Sequence, residues 1–261
     1  MRLRHLGFLV FLFFFCDLGA SYEKICLSSI PKSGTSLLMK AIRLLTGRRS
    51  SHGVGILTPS YVEALSFHDF GTMHGGCNKQ NASIMNQYQV RGFFIYRDPR
   101  DTAVSAAHYI KKLPLVYPEF QRYSFNEILF CVMNNFCNAL HVMQDVASGD
   151  IASVYRLQFL PWKNHPLVYT TTFEKLVGPH GGGNSSDQLQ ELKKMALHAG
   201  LNLSKEKLAQ VASELFGSSS TFREGKIGSW RNYFTEEHKK KFKEIAGDLL
   251  IDLGYESNLD W

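Results

Sequence analysis

Pro31-Lys-Ser-Gly-Thr-Ser36 gathers one ammonium, three hydroxyls and one glycine into a single hexapeptide. That set suits an oxyanion. Gly34 lets the backbone turn close to a ligand, Lys32 brings a full positive charge, and Ser33, Thr35 and Ser36 offer hydroxyl donors. If a helix opens at once, its first amides point into the same space and attract phosphate. The lysine precedes the glycine, so the spacing is not GxxxxGK[ST], and an ATP loop with Mg²⁺ is disfavoured. Taken alone, the hexapeptide also fits a polar turn after a strand.

A second cluster is Tyr96-Arg-Asp-Pro-Arg-Asp-Thr-Ala-Val-Ser105. Arg97 falls at the end of an apolar run and Ser105 two turns into the helix that Asp98-Pro99 starts, so both can reach one anion. The competing reading pairs Arg97 and Arg100 with Asp98 and Asp101 at the surface.

The elements that must position these groups can be read around them. Lys24–Ile30 is a short apolar run, and Leu37, Leu38, Ala41, Ile42 and Leu45 recur at helical spacing up to Gly47. This is strand, loop, helix. Gly92–Tyr96 followed by Asp98 repeats the unit, and Leu167–Thr172 is a third strand. Arg48–Gln89 carries a weak pattern, with a helix near Pro59–Leu65 its one firm element. Ser124-Phe-Asn-Glu127 is a capping box before a long helix ending near Gly149. Gly178–Gly183 reads as a flexible loop, and helices are expected over Asp187–Ala199, Ser204–Phe216 and Thr235–Leu253. Strands alternating with helices imply an α/β fold with a mostly parallel sheet flanked by helices on both faces. In such sheets ligands bind outside the carboxyl ends of the strands, where both motifs lie.

At 261 residues, with 44% hydrophobic and 20% charged content, the chain is expected to form one domain, over residues 24–256. A net charge of +6 and a pI near 9.0 favour anionic partners without choosing among them. Lys239–Lys241 reads as a solvated helix face. Cys26 reads as a small core residue. Cys26, Cys77, Cys131 and Cys137 show no CxxC spacing, so no metal site is expected.

The two motifs resemble the 5′-phosphosulfate loop and the 3′-phosphate motif of the sulfotransferases that use 3′-phosphoadenosine 5′-phosphosulfate (PAPS). A third segment, Phe222-Arg-Glu-Gly-Lys-Ile-Gly-Ser-Trp-Arg-Asn-Tyr-Phe-Thr235, is similar to that family's late Arg-Lys-Gly-x-x-Gly-x-Trp loop. The resemblance implies a P-loop-like three-layer sandwich with PAPS as co-substrate. Lys32, Ser33, Gly34, Thr35 and Ser36 would hold the 5′-phosphosulfate, with Lys32 also neutralising charge on the departing phosphate. Arg97 and Ser105 would bind the 3′-phosphate, and Arg223 with the Gly225 backbone would close over it. Glu224 stands where the family has lysine; it is expected to turn outward, with Lys226 replacing the missing charge. Phe173 would line the adenine pocket.

The resemblance also places a catalytic base at His74, in Thr72-Met-His-Gly-Gly76, although the family's preceding lysine and following proline are replaced. An ordinary histidine pKa near 6.5 suits that task. His68, His52 and Glu63 are its rivals. The implied reaction is direct in-line transfer of sulfonate to a hydroxyl on a small alcohol, phenol or carbohydrate, with no nucleic acid partner. An inactive nucleotide or anion binder and, further off, a small-molecule kinase are the alternatives. Arg2, Arg4 and His5 precede an apolar run, Leu6–Cys16, so residues 1–20 read as a signal peptide or a short signal-anchor. Asn81, Asn184 and Asn202 open glycosylation sequons compatible with a secretory route. The expected location is the secretory pathway or a membrane, facing the cytoplasm if the leader is an uncleaved anchor in a bacterium. The sequence carries no signature of oligomeric state.

Overall fold

The apolar runs form the middle of a parallel sheet. In the computed structural model, which describes residues 24–141, 149–217 and 223–261, β1 (Ile25–Ser29) is buried along its whole length. After it come α1 (Thr35–Thr46), β2 (Arg49–Val54), α2 (Pro59–Ala64), β3 (Asp69–Met73), α3 (Lys79–Gln87) and β4 (Arg91–Tyr96). The chain continues through α4 (Pro99–Lys112), α5 (Phe125–Asn134), α6 (Phe136–Ala139) and α7 (Ile151–Ser153) to β5 (Val168–Thr172). It ends with α8 (Phe173–Leu176), α9 (Ser185–His198), α10 (Lys205–Leu215) and α11 (Glu236–Asp252). The sheet order is β2-β3-β1-β4-β5, and every neighbouring pair is parallel. The leader, residues 1–20, lies outside the described residues.

Alternate strand residues face opposite sides of the sheet, which divides the core in two. Ile25, Leu27, Phe93 and Ile95 pack with Leu38 and Ile42 of α1, Leu192 of α9 and Val211 of α10. Cys26, Phe94 and Tyr96 pack on the other face with Val104 of α4, Leu129 of α5 and Phe242 of α11. The expected layers, helix, sheet and helix, are therefore present. Each such side chain contributes about 1.5–3 kcal/mol by leaving water, and this burial fixes α1 and α4 rigidly behind the loops that precede them.

Register decides what meets at the sheet's edge. Ser28 pairs with Met73, Ser29 with Ile95, and Tyr96 with Thr172. Ile30, His74, Arg97 and Phe173 therefore leave the sheet along one carboxyl edge.

Three expectations are corrected. Between Arg48 and Gln89 the structure has β2, β3 and α3. β2 is a polar, largely exposed edge strand with a register shift between Ser50 and Gly53, so it carries no alternating apolar signal. The helix expected to run from Ser124 to near Gly149 stops at Asn134. Its Ser124–Glu127 capping box is present, but Asn135 takes φ −151° and ψ 63°, outside the helical region, and the helix ends there. Gly178–Gly183 is an ordered turn whose Gly181, Gly182 and Gly183 amides bond back to Gly178 and Pro179. Cys26 is buried as expected, and all four described cysteines are free. Asn81 is fully buried, with its amide bonded to Leu57 and Gly76, so this sequon is a structural asparagine.

Candidate functional site

A cavity of about 910 Å³ opens over the carboxyl edge. Lys32, Gly34, Thr35, Ser36, His74, Arg97, Ser105, Phe173, Arg223 and Gly225 all line it. The structure thus brings together every sequence-selected site residue except Ser33.

The loop after β1 is held in an unusual backbone path. Lys32 has φ 68° and Gly34 φ 117°, the left-handed region that costs a side-chain-bearing residue about 1–3 kcal/mol. Ser33 holds that path. Its amide bonds to the Ile30 carbonyl at 3.1 Å, and its buried hydroxyl reaches the Ile30 and Ile95 carbonyls at 2.7 and 3.1 Å. Ser33 therefore ties the loop to β4, and its hydroxyl is spent there instead of facing the cavity. A Cβ on Gly34 would lie 3.1 Å from Phe173 and 3.2 Å from Ile95, so glycine is required both by conformation and by space. The Thr35 hydroxyl meets that of Ser29 at 2.6 Å.

The start of α1 differs from those of its neighbours. Thr58, Asn78, Asp98, Ser124, Asn184, Ser204 and Thr235 each cap a helix with a side chain, whereas α1 has no side-chain cap and no acidic residue in its first turn. An uncapped N-terminus facing a cavity leaves backbone donors for an anion. Beside it, the Lys32 ammonium sits 3.6 Å from the Tyr109 ring centroid. Burial, reinforced by the charge of nearby Lys112, lowers its pKa to about 8.

The other end is built from a buried charge network. Arg97 donates from Nη2 to Asp101 at 3.2 Å and to the Lys226 carbonyl, and its guanidinium lies 4.1 Å over the Phe173 ring. Its Nε is buried without a partner. Asp101 also accepts from the Gly228 amide at 2.8 Å, the Trp230 amide at 2.9 Å and the Ser229 hydroxyl at 3.1 Å. One carboxylate thus binds the 97–105 motif to the late loop. Tyr155 supports Arg97 from behind by donating to its carbonyl at 2.9 Å. Glu174, whose pKa is raised by burial, accepts from the Asp98 amide and from Tyr255, each at 3.0 Å. That pair fixes Phe173 against Arg97.

The alternative of surface pairing is corrected in one respect: the partners are as drawn, but they are buried. Arg100 lies between Asp98 at 2.8 Å and Glu256 at 2.5 Å, sandwiched by Trp230 and Trp261. It is a structural residue behind the site. Arg223 donates to Glu224, to Tyr233 at 3.0 Å and to Ser229 at 3.5 Å. Glu224 does not turn outward: it lines the cavity, held by Arg223 and by Tyr233 at 3.2 Å. Lys226 does not replace the family lysine, because its ammonium reaches the His180 carbonyl at 2.7 Å. The Ile227 amide bonds Gly181 at 2.9 Å, so the 178–183 turn props the late loop.

His74 follows β3, with its amide on Val54 at 2.9 Å. Its ring projects into the cavity, yet enough protein surrounds it to lower its pKa by desolvation. His52, Glu63 and His68 lie outside the cavity; His52 packs on Tyr61, and Glu63 accepts from Tyr88 at 2.6 Å. The cavity wall also includes Tyr109, Tyr117 and Leu140, Leu37 of α1, and Phe216. Sequence reasoning missed these. Tyr109 alone had a readable signal, since it stands four residues after Ser105 on the same face of α4. Among the described residues no group of three or more His, Cys, Asp and Glu side chains could hold a metal ion.

Comparison with known proteins agrees with this geometry. The sulfotransferase domain family matches residues 22–254. A mouse sulfotransferase, SULT7A1, solved in complex with PAP, superposes with a TM-score of 0.65 at 20% identity, covering 88% of this chain and 84% of that one. A retinol dehydratase, solved with androsterone and the inactive cofactor PAP, gives 0.62 at 16% identity, covering 88% and 81%. No curated protein sequence matches the chain.

Proposed function

Because the chain belongs to the sulfotransferase family, we propose that it transfers a sulfonate group from PAPS to a hydroxyl on an apolar or aromatic acceptor. The residues present fit the donor at both ends. At one end, the left-handed turn at Gly34, the uncapped start of α1 and Lys32 suit the 5′-phosphosulfate. At the other, Ser105, Arg223 and Arg97, with its unpartnered Nε, suit the 3′-phosphate. Phe173 lies between them, against Gly34 and under the Arg97 guanidinium, at the cavity wall where adenine would lie. The PAP in the two related structures supports the same donor.

PAPS bound there supplies the sulfonate, carried on its 5′-phosphate. His74 takes the acceptor hydroxyl proton on a ring nitrogen while the acceptor oxygen–sulfur bond forms and the bond from sulfur to the phosphate oxygen breaks. A lowered pKa keeps His74 neutral, and so able to accept a proton, at physiological pH. Lys32 and the α1 amides would stabilise the oxygen on which negative charge grows. Tyr109, Tyr117 and Leu140 hold an apolar acceptor body beside His74.

The observation that carries this reading is the convergence, on one cavity, of an uncapped helix start beside Lys32 and a buried Arg97 with a spare donor. Its test is transfer from sulfur-labelled PAPS to a panel of phenols and alcohols. The wild-type chain should produce a labelled acceptor and Lys32→Ala should not. Tight binding of PAP with no transfer to any acceptor would show an inactive binder instead.

A further inference from the structure

Leu115, 96% exposed, is the most exposed large apolar side chain among the described residues, and Val116 beside it is 51% exposed. They stand at the tip of the Lys111–Tyr123 segment joining α4 to α5. The segment is well ordered. The Val116 and Tyr117 amides bond the Leu113 carbonyl, Tyr123 bonds Phe120, and the Lys111 ammonium closes the loop on the Tyr123 carbonyl at 2.9 Å. Its underside is buried. Tyr117 donates to the Leu140 carbonyl at 3.0 Å, and both residues line the catalytic cavity. One rigid loop therefore walls the cavity on its inner side and presents two aliphatic side chains to water on its outer side.

The charge of the segment is net positive. Lys111, Lys112 and Arg122 are exposed, against one acid, Glu119, which is bonded to His141 at 2.7 Å. An apolar tip in a segment with an excess of exposed cations is complementary to an anionic bilayer surface, where aliphatic groups enter the acyl boundary and cationic groups meet headgroups. The same tip is poorly suited to a second copy of itself, since cations would face cations.

We propose that the Pro114–Val116 tip docks this protein on an anionic membrane surface, and that its acceptor is an amphiphilic alcohol or phenol held in that membrane. Docking follows from the loop alone; the acceptor class rests on the sulfotransferase reading. It places the Tyr117 wall of the cavity directly behind the docked tip.

The test uses the full chain carrying Leu115→Trp, with vesicles of phosphatidylcholine alone or mixed with phosphatidylserine, each containing brominated phosphatidylcholine as a quencher. Trp162, Trp230 and Trp261 lie away from the tip and supply the background measured in the wild type. Emission from the variant should be quenched beyond that background on the mixed vesicles. Adding Lys111→Glu or Arg122→Glu should weaken partitioning by about fivefold or more each. The readout is local to residue 115, so attachment through the apolar run Leu6–Cys16 does not mimic it. No added quenching, or equal quenching on phosphatidylcholine alone, overturns the docking. A dimer that Leu115→Glu dissolves overturns it too, because a second copy would then be the occupant.

Turnover tests the acceptor class. Leu115→Glu with Val116→Glu should keep transfer to a water-soluble phenol and lose about tenfold or more with a bilayer-dissolved long-chain alcohol, as local concentration at the membrane is lost. Equal effects on both acceptors overturn the acceptor class. If no acceptor is sulfonated by any form, the sulfotransferase reading and the acceptor class fall together, and quenching alone decides the docking.

Discussion

The two ends of the cavity are built differently. Around Arg97, a single buried carboxylate, Asp101, collects bonds from a guanidinium, two amides and a hydroxyl, and Tyr155 and Glu174 brace the same strand end. Elsewhere the wall is made of side chains such as Tyr109, Tyr117 and Leu140, with His74 lining the same cavity. The first end is set before any ligand arrives and is suited to one shape of anion. The second offers surface and a base, and so can suit different acceptors. In a single fold, the part that must recognise a fixed donor is the part held by buried polar bonds.

The comparison is broken most severely through Lys32, which lines the cavity beside the start of α1. Lys32→Ala should reduce turnover by about 10²–10³-fold, the usual cost of removing one preorganised charge-stabilising donor, as measured by labelled transfer from PAPS. Retention of near-wild-type turnover would remove Lys32 from the mechanism.

His74→Ala should lower kcat by about 10²–10⁴-fold while PAP binding by calorimetry stays unchanged. A parallel loss of PAP affinity would mean that the acceptor end is not separable from the donor end. Asp101→Asn probes the opposite side. Losing charge-assisted bonds worth about 1.5–3 kcal/mol each when made to a charged group should weaken PAP binding by about tenfold or more, with little change in kcat at saturating PAPS. A kcat effect without a binding effect would contradict its role as the latch between Arg97 and the late loop.

pH sharpens the same contrast. Lys32 is charged below its pKa of about 8 in the free protein, so kcat/KM for PAPS should fall as pH rises through that value. His74 must be neutral, and its lowered pKa in the free protein puts the acid limb of kcat/KM below the ordinary histidine range. An acid limb above pH 6.5, the ordinary histidine value, would contradict this assignment. The smallest effect is expected from Lys226→Ala. Its ammonium serves the His180 carbonyl, so PAP affinity should change less than about twofold, in the range of an ordinary surface substitution.

What the sequence disclosed follows the same division. Pro31–Ser36 and Arg97–Ser105 were legible because strand ends, helix starts and anion donors are local features, and parallel register then aligns them without further information. Asp101 was visible only as one partner of a surface pair. Its bonds to Gly228 and Trp230 span 127 and 129 residues, and no local pattern announces them. Lys226 was misplaced for the same reason, since it reaches the 178–183 turn; Glu224 was misplaced because Tyr233, nine residues on in the same motif, folds back onto it. The acceptor side was hardest, since β2 is a polar edge strand and Tyr117 and Leu140 meet only through tertiary packing.

The account stands or falls on a two-ended donor site. Calorimetric titration of the wild-type chain with PAP and with adenosine 5′-phosphate measures this directly. A site with Arg97, Ser105 and Arg223 at its second end predicts about a hundredfold or greater preference for PAP, as expected for charge-assisted bonds to one phosphate, and loss of that preference in Arg97→Ala. Equal affinity for the two nucleotides in the wild type would contradict it.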